Sequence, residues 1–127
     1  MSIERFEQWL TRYKHAWETR DPDAAQAIFS EDATYRVTPF REPEMYRSGI
    51  RDYWVRATTE QRNVQFGYEM LATNGDTGIC RWNCRFDVHD DGRHVEIDGI
   101  FVFVLTDDGL CSQFQEWWHE RSSPITG

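Results

Sequence analysis

Cys80-Arg81-Trp82-Asn83-Cys84-Arg85-Phe86-Asp87-Val88 alternates an apolar or thiol side chain with a polar one at nearly every step. A period of two marks a strand with one dry face. Asp90-Asp91-Gly92 follows as a hairpin signal. Val95, Ile97, Gly99, Phe101, Phe103 and Leu105 make the next inward set; His94, Glu96 and Asp98 between them are polar, but Ile100, Val102 and Val104 are not. Asp107-Asp108-Gly109 turns the chain into a last strand, Leu110 to His119. Upstream, Val64, Phe66, Tyr68 and Met70 alternate in the same way before the turn residues Asn74-Gly75-Asp76. The sequence after Asn63 therefore reads as a curved antiparallel meander.

The part before it reads as helices. Ile3, Phe6, Leu10, Tyr13 and Trp17 fall at helical spacing, with Ser2 as cap and Glu4 at the positive helix end. Asp21-Pro22-Asp23 opens a short second helix whose apolar face is Ala24, Ala25, Ile28 and Phe29. Ala33, Tyr35 and Val37 alternate as a strand, and Pro39 and Pro43 bracket an irregular loop. Ser48-Gly49 opens a third helix with Ile50, Tyr53, Trp54 and Ala57 on one side. Long strands folded over helices on one side give an α+β fold: a curved antiparallel sheet wrapped around N-terminal helices. The second apolar face at Ile100, Val102 and Val104 needs a cover, and a second subunit is the expected one, giving a homodimer through the outer sheet face.

With 127 residues, the chain is expected to be a single domain spanning 1–127. Its net charge of −8 argues against nucleic-acid and anionic membrane partners, both of which need clustered cations. The longest apolar run, Ile100 to Leu105, is too short to span a bilayer. Met1-Ser2-Ile3-Glu4-Arg5 has no apolar signal core. Three cysteines, an odd number, fit buried thiols in a reducing compartment, so a cytoplasmic location is expected. His15, His89, His94 and His119 form no metal-ligand spacing, and no phosphate loop, serine-nucleophile motif or dinucleotide fingerprint occurs; neither metal nor cofactor is expected.

The order of four pieces resembles the SnoaL-like branch of the nuclear transport factor 2-like superfamily. These are Arg12-Tyr13 through Arg20-Asp21, Ala27-Ile28-Phe29-Ser30-Glu31-Asp32-Ala33-Thr34-Tyr35, Ser48-Gly49-Ile50-Arg51-Asp52-Tyr53-Trp54, and the late hairpin ending Asp107-Asp108-Gly109-Leu110. The resemblance runs from about Ile3 to Glu120. It implies a cone of curved sheet closed by helices, with an internal apolar pocket. It implies no single activity, since the superfamily holds ketosteroid isomerases, polyketide cyclases, dehydratases, epoxide hydrolases, transport factors and non-catalytic binders.

Tyr13 falls where ketosteroid isomerases carry the phenol that donates to the substrate carbonyl. Their proton-shuttling carboxylate falls at Val37 or, with one gap, at Thr38; their second acid falls near Phe101. Both acids are missing, which argues against steroid isomerisation by that mechanism. On the last strand Leu110, Phe114 and Trp118 share a parity that, by the resemblance, faces the pocket, with Ser112 and Glu116 as its polar members. A carboxyl group between two aromatics is desolvated, which raises its pKa toward general acid–base use. A wet strand end, or an arginine partner, is the competing reading for Glu116. For Tyr13 it is a core phenol bonded to the protein. Asp98 is expected outside the pocket unless a bulge near Gly99 flips it.

The candidate catalytic residues are thus Glu116 and Tyr13. The candidate ligand-binding residues are Trp17, Tyr35, Thr38, Trp54, Phe101, Phe114 and Trp118. The expected protein is a cofactor-free isomerase, cyclase or dehydratase that moves a proton on a small apolar or aromatic carbonyl compound. The other readings are a non-catalytic binder of a hydrophobic small molecule and a dimeric interaction module whose cone is filled by rings.

Overall fold

Glu4 and Glu7 stand in the first turn of α1 (Glu4–Glu18), where the helix dipole favours acids. The buried stripe of α1 is Phe6, Trp9, Leu10, Tyr13, Ala16 and Trp17, the spacing of a helix with one dry side. Trp9 belongs to that stripe and donates its Nε1 to Ile28 O at 2.8 Å. Ile3, expected in the stripe, is the exposed N-cap residue. The computed structural model describes residues 3–89 and 92–124. The cap expected at Ser2 and the Asp90-Asp91 half of the hairpin signal lie outside them.

α2 (Pro22–Gln26) begins as the sequence reads: the Asp21 carboxylate accepts from the backbone N–H of Asp23 and Ala24 at 3.0 and 3.1 Å. It is shorter than expected. The chain leaves it at Ala27, and Phe29 already opens β1 (Phe29–Arg36), so Ile28 and Phe29 are buried but not as a helix face. β2 (Glu44–Met45) pairs with β1 through Thr34↔Met45 and Tyr35↔Glu44. Tyr46, at φ 66°, then switches the chain into α3 (Tyr46–Thr58), ahead of the Ser48 start that the sequence suggests.

The meander is β3 (Gln61–Asn74), β4 (Thr77–Val88), β5 (Arg93–Leu105) and β6 (Cys111–Pro124). The six strands are ordered β2-β1-β6-β5-β4-β3 in one curved sheet. One pairing departs from the antiparallel expectation: β1 runs parallel to β6, with Tyr35 beside Phe114. The expected alternation holds in β4, where Cys80, Trp82, Cys84 and Phe86 are buried and Arg81, Asn83 and Arg85 exposed. All three cysteines are free and buried.

No bulge forms at Gly99. The β4–β5 register is unbroken, and Asp98 stays outside, paired with Arg81 at 3.0 Å. The irregularity lies later, where Leu105 faces Cys111 and Val104 faces Gln113. Ser112 is the extra residue, and its hydroxyl donates to Val104 O at 3.5 Å. The bulge lets both Cys111 and Phe114 face the core on opposite parities. On the outer face Ile79, Ile100, Val102 and Val104 are half-buried, and Trp117 is exposed beside Ile100. No helix among the described residues is long and apolar enough to cross a membrane.

Candidate active site

Seven elements converge on one cavity of about 210 Å³. α1 contributes Tyr13 and Trp17, four residues apart on one helix face. β1 and its exit contribute Tyr35 and Val37; α3 contributes Tyr53, Trp54, Ala57 and Thr58. Trp82 and Phe86 come from β4, and Glu116, Trp118 and Glu120 from alternate positions of β6. Gln61 and Ile97 complete the wall. The cone is therefore not packed solid. The volume falls short of the roughly 300 Å³ at which drug-sized pockets begin, but exceeds the ~150 Å³ that admits benzene. Within its walls it holds one ring, or two small ones.

Of the expected site residues, Tyr13, Trp17, Tyr35, Trp54, Glu116 and Trp118 stand at this wall. Phe101 and Phe114 do not line it. They are fully buried beneath it, with ring centroids 4.5 Å apart, and Tyr35 stacks on Phe114 at 4.7 Å and 12°. Thr38 is also absent from the wall, because alternation turns Val37 inward. Ser112, taken up by the bulge, is absent too. Tyr53 and Trp82 are at the wall too, although the sequence marks them only as part of a helix's apolar side and of a strand's dry face. Gln61 gave no sequence signal: it is placed by Trp17, whose Nε1 donates to Gln61 Oε1 at 2.7 Å across 44 residues.

Glu116 is buried to 5 % exposure. Burial pushes its carboxyl pKa up to about 8, against a hydrogen bond from Tyr35 that pulls it down. Among the described residues no cation pairs with it to offset the burial, so the uncharged acid predominates near neutral pH. The Tyr13 and Tyr35 hydroxyls lie 3.3 Å apart. Burial raises both phenols well above the usual range, and the nearby Glu116 charge raises them further.

Either hydroxyl of the Tyr13–Tyr35 pair can donate to the other, and a protonated Glu116 can donate as well as accept. The 3.3 Å separation is long for O–H···O, so Tyr13 can exchange that bond at low cost. At the cavity edge Trp118 Nε1 donates to Val37 O at 2.8 Å, tying β6 to the end of β1. Among the described residues, no three His, Cys, Asp or Glu side chains come together as a metal site.

Several solved structures share this architecture. SalBIII, an epoxide hydrolase/cyclase-like enzyme of pyran ring formation in polyether salinomycin, is 21 % identical with a TM-score of 0.78, covering 91 % of each chain. RV0760c from Mycobacterium tuberculosis is 9 % identical with a TM-score of 0.83, covering 97 % of this chain and 99 % of its own. The Delta 5-3-ketosteroid isomerase from Mycobacterium sp. is 10 % identical with a TM-score of 0.75, covering 94 % and 98 %. At such identities the likeness speaks for the fold alone. A comparison with curated proteins found no match. The family model for the SnoaL-like domain matches residues 10–114, most of the chain. With its curved six-stranded sheet and N-terminal helices, the chain belongs to the SnoaL-like family and has the cone fold of the nuclear transport factor 2-like superfamily.

Proposed function

We propose that this protein is a cofactor-free isomerase, cyclase or dehydratase acting by proton transfer on a small carbonyl compound. The observation that carries the reading is an uncharged carboxyl group, with its pKa near 8, in the wall of a largely aromatic cavity. A group with that pKa has both protonation states populated near neutral pH, as two-way proton transfer requires. Glu116 in its carboxylate form takes a proton from the carbon beside the carbonyl. The electron pair moves to the carbonyl oxygen, and Tyr13, leaving its long bond to Tyr35, donates to that developing oxyanion. Glu116 then returns the proton to a different atom. The three free thiols support a reducing, cytoplasmic setting. The apolar outer face supports a homodimer.

A one- and two-ring carbonyl library tested by thermal shift identifies binders, because a ligand of the folded state raises the midpoint by mass action. Exchange of the binder's α-proton in D₂O, followed by NMR, then reads the chemistry. Glu116→Gln should slow enzyme-catalysed exchange by about 100-fold or more while affinity stays within about threefold. Exchange at the wild-type rate in the variant would leave a binding protein instead of an enzyme.

A further inference from the structure

Four aromatic rings of the cavity wall keep surface open to it. Trp17 and Phe86 are 8 and 7 % exposed, and Tyr53 and Trp118 are half-buried. The rings behind them are closed off by stacking: Trp82 lies on Phe101 at 4.7 Å and 18°, and Tyr35 on Phe114 at 4.7 Å and 12°. Phe86 and Trp118 pair with no other ring among the described residues. β6 sets Glu116, Trp118 and Glu120 at alternate positions on one face, so an open ring stands between two carboxyl groups. Glu116 is the deep one, and Glu120 is exposed at the edge, beside Ile97 of β5.

The charge of this wall has one sign. The chain carries 14 Lys and Arg, yet no Lys, Arg or His lines the cavity. Among the described residues neither carboxyl group has an ion pair. The cations around the wall are engaged elsewhere. Arg41 and Arg56 act on the Tyr53 hydroxyl, and Glu44 shares both at 3.7 Å. Arg121 faces the other side of the sheet and pairs with Glu96 at 3.3 Å. Arg20 and Arg62 donate to Gln61 O at 3.0 and 2.8 Å. Among the described residues no Lys or Arg lies over a cavity ring; Arg5 stands over Phe6 instead.

An anion would meet two acids and no counter-charge in a dry site. A neutral compound would use the apolar contacts alone. A cation supplies what the wall lacks. It is attracted to ring faces, it pairs with the Glu120 carboxylate, and it offsets the burial that keeps a proton on Glu116. The other groups that face Glu116 are Tyr13 from α1, Tyr35 from β1, Tyr53 from α3 and Cys84 from β4, and none of them carries positive charge. A bare metal ion needs more oxygen ligands than two carboxyl groups provide. An alkylated ammonium presents carbon to the rings and needs no such shell.

We propose that the cavity binds a small organic cation, an alkylated ammonium whose charged group lies against the open rings between Glu116 and Glu120. This does not rest on the carbonyl reading. Joined to it, the substrate is a carbonyl compound that also bears an ammonium group.

The test is an NMR titration of the intact, ¹⁵N-labelled chain at neutral pH and constant ionic strength with choline and with 3,3-dimethylbutan-1-ol, which has the same shape and carbon in place of the charged nitrogen. Choline should bind about tenfold tighter or more, the size of one cation–ring interaction out of water. It should move the indole N–H resonances of Trp17 and Trp118 and leave that of Trp9, which is bonded to Ile28 O away from the wall. Glu120→Gln and Phe86→Leu should each cut the preference for choline by about threefold or more. If a variant does not fold, the wild-type pair decides alone. Equal or tighter binding of the alcohol, or Trp17 and Trp118 resonances that choline leaves in place, overturns the cation site and leaves the proposed function standing. Exchange of the α-protons of acetonyltrimethylammonium in D₂O reads the chemistry separately. Binding of this ketone with exchange no faster than in solvent supports the cation site and counts against the proposed proton transfer.

Discussion

Glu116 holds a proton in the fold that an exposed glutamate releases. Its pKa is about 8 in the folded chain, against a usual 4.5. Its contribution to stability is therefore complete below pH 4.5, declines as pH rises through the window between the two values, and is gone once the folded group ionises above about 8. The thermal midpoint of the wild type should fall from pH 5 to pH 9 more steeply than that of Glu116→Gln. The variant should be the more stable of the two at pH 9; parallel profiles would refute the raised pKa. Tyr35→Phe removes the hydrogen bond that favours the carboxylate. Such a bond to a charged group is worth about 1.5–3 kcal/mol, so the midpoint of Glu116, read from side-chain carboxyl ¹³C shifts, should rise by about 1–2 pH units. The strand parity of Glu116 is legible in the sequence. Its partner Tyr35 is not, because the pairing of β1 alongside β6 has no local signature.

At the scale of elements, α1 is seated against the sheet through a missing side chain. A Cβ on Gly78 in β4 would lie 2.6 Å from the Phe6 ring and 3.2 Å from Phe103. Gly78→Ala should cost about 1–3 kcal/mol by overpacking, measured by denaturant unfolding. Phe6→Leu in the same chain should recover part of that loss, giving a coupling energy that two independent sites would not show. The strand and helix faces are readable in the sequence wherever a period repeats several times, as in β4 and along α1. They fail where the element is too short or the period slips. Five residues of α2 cannot separate a helical from an extended continuation, so Ile28 and Phe29 read as helix. The bulge at Ser112 adds one residue to a strand without changing its composition, so the parity counted back from Glu116 turns Ser112 the wrong way.

For the molecule as a whole, the cavity is the least legible feature, because it is a small difference between ring volumes and the space the cone encloses. Phe101 and Phe114 occupy that space, while Trp82 and Tyr53 border what is left. The outer sheet face is the reverse case, written in the sequence as a second run of apolar residues. Ile79 pairs with Val102, and Ile100 with Trp117, so these side chains form one patch across three strands. Gln113 and Gln115 on β6 and the Arg81–Asp98 ion pair border it. A two-fold axis through such a patch sets apolar rows against each other and lets polar borders meet polar borders, the self-complementarity that an isologous dimer requires. Sedimentation should therefore find a particle of twice 15.2 kDa. Val102→Glu places a carboxylate at the centre of the patch. The monomer tolerates it, since Val102 is only half-buried there, whereas a dimer would bury two unpaired charges. The variant should sediment as a folded monomer with unchanged circular dichroism, and Trp117 fluorescence should shift to the red as that ring meets water. A wild type that sediments at 15.2 kDa, or a Val102→Glu chain that stays dimeric, would remove the outer face as the subunit interface.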